Sequence, residues 1–253
     1  MDTGFYKTYF AIEKDHWLMK VRRKIVRDQL EKYAQVLLAP QGETVKKILD
    51  FGSGSGFLVN ELQKEGIDAY GVDNAQEAVD YGTSLGIKNL SVLGSKSPLH
   101  FTNGYFDCVL AMDVLEHLPE EQYVLSELKR VLKKDGTLVI TVPAYMFLWG
   151  RQDEVSQHFR RYTMGRLIEV VRTSGDFDIV KRSYFNTFLF PLVALVRMGS
   201  WLVGHRGEGS DFEINNKFLN TLFFAIFDLE RRLLKCMNFP FGVSILLVLK
   251  KKT

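Results

Sequence analysis

The chain has 253 residues, 46% hydrophobic and 25% charged, the balance of an ordinary globular protein large enough for one α/β domain with embellishments. Its 33 Lys and Arg against 30 Asp and Glu leave a net charge of +3, too mild for a nucleic-acid-binding face, so no nucleic-acid partner is expected. Two distant cysteines, Cys108 and Cys236, match no metal-ligand spacing, and no basic-then-apolar leader opens the chain; a cytoplasmic protein without disulfides or metal is expected.

Trp17, Val21, Ile25, Val26, Leu30, Tyr33 and Leu37 recur at helical spacing and predict a helix over about 15–38, punctuated by Pro40 and Gly42. Lys47–Gly52 reads as a short apolar strand closed by a glycine loop, with Phe57–Lys64 as the helix behind it. Ile67–Asp73 and Asn89–Gly94 read as the second and third strands, around a helix over Ala75–Leu85. Phe106–Asp113 is nearly all apolar, as a strand covered on both faces should be. An amphipathic helix over Glu120–Lys134 is expected to stop at Asp135-Gly136, before a fifth strand at Thr137–Pro143.

A polar, aromatic loop spans about 144–162, and a helix over about 164–174 has Thr163 as its N-cap. A strand at about 177–184 and helices at about 187–204 and 215–236 follow. Pro240-Phe241-Gly242 then turns the chain into a last strand, Val243–Leu249. Strands separated by helix-length segments predict a doubly wound, mostly parallel sheet. The almost continuously apolar run Phe185–Val203 approaches the length of a membrane span, but Pro191 and Arg197 make it a poor one. A buried or interface-covering helix is expected there, with peripheral membrane contact as the rival.

Gly52, Gly54 and Gly56 permit a sharp turn and a close approach of backbone to a ligand, beyond the carboxyl end of the first strand. Asp73 ends the second strand, where an acid can accept hydrogen bonds from the hydroxyls of an adenosine ribose or simply cap the following helix. The dinucleotide fingerprint is G-x-G-x-x-G; here the spacing is G-x-G-x-G, with Asp50 two residues upstream. A carboxylate there would repel a diphosphate and suits a ligand carrying an ammonium and a sulfonium, which points to S-adenosylmethionine.

The run Ile48-Leu49-Asp50-Phe51-Gly52-Ser53-Gly54-Ser55-Gly56 resembles the first motif of class I S-adenosylmethionine-dependent methyltransferases, and Tyr70-Gly71-Val72-Asp73 their ribose-binding strand end. Phe106–Leu118 resembles the fourth-strand motif of the subgroup that includes the quinone-biosynthesis methyltransferases, and Leu128–Leu138 the helix, turn and strand that follow. The resemblance covers about 45–145. It implies a Rossmann-like, seven-stranded sheet in a single domain over 1–253. An N-terminal helical cap (about 1–40) and a helical cover (about 185–240) before the last strand would complete it.

The resemblance also implies roles for individual residues. Gly52, Ser53 and Gly54 would line the methionine portion, Asp50 would lie near its amino group, Asp73 would hold the ribose and Asn74 would sit beside the adenine. Ala111 and Met112 would face the methionine through backbone. Relatives often carry an acid after the third-strand glycine; here Gly94 is followed by Ser95, which can still hydrogen-bond to the adenine.

Methyl transfer from a sulfonium requires alignment and exclusion of water, and a base only when the acceptor carries a proton at the reacting atom. His117 and His158 are the candidates for that base, and each has a plainer reading, as a helix-start residue and as a lid-fastening contact. Tyr145, Trp149 and His158 are expected to wall the acceptor pocket. Arg22 or Arg23 could meet the methionine carboxylate or lie on a solvated helix face. The apolar region of about 185–236, with Phe188, Phe190, Leu192, Phe223, Phe224 and Phe227, could cover a lipid-like acceptor, a membrane surface or a second subunit, in a monomer or homodimer. A binding or sensing module without transferase activity, and a nicotinamide-dependent oxidoreductase, are the alternative classes.

Overall fold

The alternation of apolar strands and amphipathic helices produces one seven-stranded sheet in the order β3-β2-β1-β4-β5-β7-β6. The computed structural model describes residues 12–35, 46–94, 97–203 and 217–252. Its strands are β1 Lys47–Phe51, β2 Asp68–Asp73, β3 Leu90–Val92, β4 Phe106–Met112, β5 Leu132–Pro143, β6 Phe177–Phe185 and β7 Ser244–Lys251. The first five pair in parallel, while β7 runs antiparallel between β5 and β6. The expected mostly parallel, Rossmann-like sheet is therefore present.

Successive residues of a strand face opposite sides, so the sheet divides its apolar residues between two cores. Ile48, Cys108, Leu110, Val139, Leu246 and Val248 face α1 (Trp17–Gln29), α2 (Phe57–Lys64) and α8 (Lys217–Leu234). Their neighbours Leu49, Val109, Ala111, Leu138, Ile140 and Leu247 face α4 (Glu121–Val131) and α6 (Met164–Ser174). Cys108 is buried in the first core, as expected, and burial pushes its thiol well above the usual range.

Local sequence sets several boundaries. The Thr163 hydroxyl accepts from the Arg166 N–H at 3.3 Å and starts α6 at the expected residue. The N-terminal helix ends in a π-helical turn over Leu30–Ala34, followed by Gln35 in the left-handed region; the expected Pro40–Gly42 stop lies outside the described residues. Helix α3 occupies Gln76–Ser84.

Asp135-Gly136 behaves differently from expectation. Helix α4 ends at Val131, β5 begins at once, and the β4–β5 register jumps from Phe106↔Leu132 to Cys108↔Thr137. The turn-forming pair thus makes a bulge inside the strand: Asp135 takes a φ of +58°, and a Cβ on Gly136 would lie 2.8 Å from the Lys133 carbonyl oxygen.

The first cover helix, α7 (Phe190–Val203), is not buried: Leu192, Leu195, Val196 and Met198 are all at least half exposed. Its contact with the rest of the protein is narrow. Arg197 folds back so closely that a Cβ on Gly150 would lie 2.5 Å from its guanidinium. The second cover helix, α8, packs on α1 through Trp17, whose ring lies 5.4 Å from Phe223 and 5.9 Å from Phe227, and through an Arg231–Asp28 ion pair at 2.8 Å. Among the described residues no helix is long and apolar enough to cross a membrane.

Candidate active site

The carboxyl ends of the parallel strands gather the predicted residues. All three loop glycines take positive φ: 78° at Gly52, 53° at Gly54 and 77° at Gly56. At Gly52 the need is also steric, because a Cβ would lie 2.3 Å from Val114 Cγ2 as the loop packs on the chain leaving β4. At Gly54 no described atom lies within 4 Å of the Cβ position, so this face of the turn is bare backbone.

Asp73 fastens the loop. Its Oδ2 accepts from the Gly54 N–H at 2.7 Å, and its Oδ1 accepts from the Ala75 N–H at 2.9 Å at the entry to α3. Each oxygen retains a further lone pair. The helix-starting bond is therefore real and compatible with a ligand contact by the same carboxylate.

Three acids converge beside this loop. Asp50 is buried, and its Oδ1 has no hydrogen-bond partner. Burial, then the proximity of Glu13 and Asp73, pushes its carboxyl up to about 8. Glu13, in the helical turn over 12–15, accepts from the Ser55 hydroxyl at 3.3 Å; burial raises it to about 7 despite the nearby Arg23 guanidinium. A buried carboxylate without a counter-charge is costly, and an ammonium placed at this loop would relieve that cost. The donor set thus fits the amino group of an amino-acid ligand. Glu13 was not foreseen; no local pattern links it to the glycine loop.

Those of the remaining expected binding residues that are described lie around the same loop. Ser53 is buried, with its Oγ unpartnered. Asn74 is exposed next to Asp73. Ala111 is buried at the last β1–β4 register pair, Phe51↔Ala111, and Met112 lies one residue beyond it. Ser95 lies outside the described residues.

Neither N-terminal arginine lies on a solvated face. Arg22 forms an ion pair with Asp113, which follows β4, and Arg23 pairs with Glu61 at 3.2 Å while its guanidinium lies 4.4 Å from the centre of the Phe57 ring. The helix carrying both is thereby fastened over the strand ends.

The two histidines come together, their ring centres 4.5 Å apart in an edge-to-face arrangement. His117 closes a single 3₁₀ turn, Leu115–His117, and burial, then His158, lowers its imidazole to about 4 against a backbone bond to Ser156. His158 Nδ1 lies 2.8 Å from Asp153 Oδ1. Asp153 is fully buried in α5 (Arg151–Val155) and accepts from Arg161 Nε at 2.8 Å, Arg161 NH2 at 2.9 Å and the Gly150 N–H at 2.8 Å. Burial raises its carboxyl, but the bonds from His158 and Arg161 outweigh that and bring it to about 2. The lid-fastening and site readings of His158 therefore share one geometry.

Glu116, adjacent in sequence to His117, is fully buried with both carboxylate oxygens unpartnered, and burial pushes it up to about 8. Tyr145 has a φ of +57° and stacks on Tyr184, with ring centres 5.3 Å apart and planes within 10°. Phe147 and Phe190 extend this aromatic wall, at 5.3 Å and 5.9 Å from Tyr145. Trp149 is half-buried where the following 3₁₀ turn, Met146–Leu148, ends.

Residues 49–140 match the family model described as "Methyltransferase domain". The ubiquinone biosynthesis O-methyltransferase of Actinobacillus pleuropneumoniae is 28% identical over 119 residues, 41% of this chain and 50% of that protein. The chain spans about half the length of the curated relatives it matches. The fold resembles a SAM-dependent methyltransferase from Archaeoglobus fulgidus, with a TM-score of 0.55 at 19% identity over 96% of this chain and 99% of that one. It also resembles Haemonchus contortus phosphoethanolamine N-methyltransferase 2 in complex with S-adenosyl-L-methionine, at a TM-score of 0.53 and 16% identity over 88% of this chain and 51% of that one. Residues 49–140, which carry the glycine loop, Asp73 and the fourth-strand motif, are thus the part of the chain that is similar to the methyltransferase-domain family.

Proposed function

We propose that this protein transfers the methyl group of S-adenosylmethionine to a small-molecule acceptor of lipid-like or isoprenoid character. The observation that carries the reading is the buried carboxyl of Asp50, whose Oδ1 has no hydrogen-bond partner, beside a glycine turn that Asp73 holds in place. That arrangement suits a cationic nucleoside amino acid and disfavours a diphosphate, which sets the nicotinamide oxidoreductase reading aside.

When bound, the sulfonium supplies an activated methyl group to an in-line nucleophile. The chain's own residues orient and shield. Asp50, joined by Glu13, would take the ligand's ammonium; Gly52, Ser53 and Gly54 would lie along its methionine portion. Asp73 would accept from the ribose hydroxyls, Asn74 and Ser95 would flank the adenine, and the backbone of Ala111 and Met112 would close the methionine side. His158, oriented by Asp153, and His117 beside it would handle the acceptor's proton. Tyr145 and Trp149 would wall the acceptor, with the exposed apolar face of α7 as its approach. The ubiquinone-biosynthesis naming of the relative supports an aromatic hydroxyl with an apolar tail as the first acceptor class to try.

Calorimetry with S-adenosylhomocysteine tests the cofactor half, and labelled methyl transfer to extracted isoprenoid phenols and lipids tests the acceptor half. Saturable binding with labelled product supports the proposal. Binding without transfer to any pool would favour a sensing module, and no binding by folded protein would end the reading.

A further inference from the structure

We propose that the exposed face of α7, together with the 3₁₀ turn Met146–Leu148, docks on the surface of a bilayer that contains anionic lipid. The purpose of such docking rests on the lipid-like acceptor of the functional reading, which would be drawn from the bilayer. The docking itself is measurable without cofactor or acceptor.

Leu192, Leu195 and Met198 recur every three residues and so share one side of α7. They are 50%, 69% and 57% exposed. The face does not stop at the helix. Met146 and Phe147, in the turn that packs on α7, are 55% and 57% exposed. Ring contacts of 6.2 Å between Phe147 and Phe190 and 5.4 Å between Phe190 and Phe241 extend it to Phe241, itself exposed. Scattered apolar surface residues are ordinary, whereas a contiguous apolar face marks a docking site. Phe190 also lies 5.9 Å from Tyr145, so the face runs into the aromatic wall described above.

Charge selects the occupant. The chain has no Asp or Glu at 144–152, at 179–207 or at 239–253, so the three segments that build the face bring no carboxylate to repel phosphate headgroups. They do bring cations. Arg151 is exposed at the start of α5, and the Arg197 guanidinium lies 2.5 Å from where a Cβ on the preceding Gly150 would stand. A long basic side chain beside an apolar surface lays its stem on that surface and offers its charge to the headgroups.

Length limits the depth of docking. At 1.5 Å per residue the 14 residues of α7 span about 21 Å, short of the roughly 30 Å apolar core of a bilayer. Among the described residues no helix is long and apolar enough to cross it. The helix is therefore suited to lie along the boundary between headgroups and acyl chains.

Flotation of the full chain with phosphatidylcholine vesicles, with and without phosphatidylglycerol, tests the face. Association is expected with both and tighter with phosphatidylglycerol, by a margin that added salt reduces. Leu195→Asp and Leu192→Asp should each weaken association by about tenfold or more, the scale of losing one buried leucine side chain. Arg151→Glu should remove only the preference for phosphatidylglycerol. Unchanged melting temperature and S-adenosylhomocysteine binding in these variants control for folding. Failure of every protein to bind that nucleoside would count against the functional reading and leave the docking result standing. Wild-type protein that floats with neither vesicle would overturn the docking, as would leucine variants that float like wild type. So would a concentration-dependent dimer, seen by light scattering, that Leu195→Asp dissolves, since a second copy would then cover the face.

Discussion

The Gly54 N–H donates to the Asp73 carboxylate at 2.7 Å, so the residue that ends β2 holds the turn that follows β1. Loss of that carboxylate removes a brace for the loop and, under the proposed function, a ligand acceptor. Asp73→Ala is expected to weaken S-adenosylhomocysteine binding by about 1–3 kcal/mol, the scale of hydrogen bonds to a charged group. Asp73→Asn, which keeps one acceptor oxygen, should lose less. Calorimetry on the two variants checks the order; wild-type affinity in Asp73→Ala would remove the ribose assignment.

Asp50 and Glu13 make ligand-free stability depend on pH. Their folded carboxyls titrate near 8 and 7, above the usual range, so the unfolded chain releases these protons first. The contribution is fully present below about pH 4 and is lost as pH rises through those folded values. Asp50→Asn should therefore flatten the decline in melting temperature between about pH 5 and 8 relative to wild type. In wild type, the stabilisation given by S-adenosylhomocysteine should grow over the upper half of that range, as its ammonium meets ionised acids. Melts across pH with and without ligand measure both effects, and parallel curves for the two proteins would refute the assignment.

His158→Ala should lower turnover by about 10²–10⁴-fold, the usual contribution of positioned proton transfer, while leaving nucleoside affinity near wild type. Asp153→Asn should lower turnover less, since it leaves the imidazole present but loosely held. Single-turnover methyl transfer distinguishes the two; a His158→Ala enzyme of undiminished turnover would take His158 out of the reaction.

Gly52→Ala places a methyl group 2.3 Å from Val114 Cγ2 on a backbone with φ of +78°. A cost of about 1–3 kcal/mol is expected from the backbone alone, with the steric overlap added. Combining it with Val114→Ala should recover the overlap but not the backbone part, so the pair should cost less than the sum of the singles. Denaturant unfolding of the three variants supplies the comparison; strict additivity would show that Val114 is not the obstacle.

The geometry of the glycine loop and Asp73 is legible in the sequence because its signals are local. A strand, a glycine turn and an acid at the next strand end are set by the backbone needs of a few consecutive residues, and the Thr163 cap placed α6 for the same reason. Glu13 was illegible because its role depends on how an N-terminal turn docks over a loop far along the chain. Asp153 was passed over because nothing in Arg151-Gln152-Asp153 marks it as the partner of His158; only burial shows that. Asp135-Gly136 was misread as a helix stop because the same turn chemistry serves a bulge when the strand begins upstream. The apolarity of α7 allows a buried or an interface-covering helix; its exposure removes the first, and apolarity alone does not say what would cover it.

Strands β6 and β7 are partners at Phe185↔Ser244, so the chain departs from the sheet and returns to it at one place. Everything between, including α7 and α8, is a detour with a common doorway, attached beyond β5 on the far side from β1 and β2. Such an insertion can be lengthened, shortened or refaced without moving the register of the parallel strands whose ends carry the glycine loop and Asp73. Under the proposed function, acceptor preference would be free to diverge while the contacts to the methyl donor stay constant.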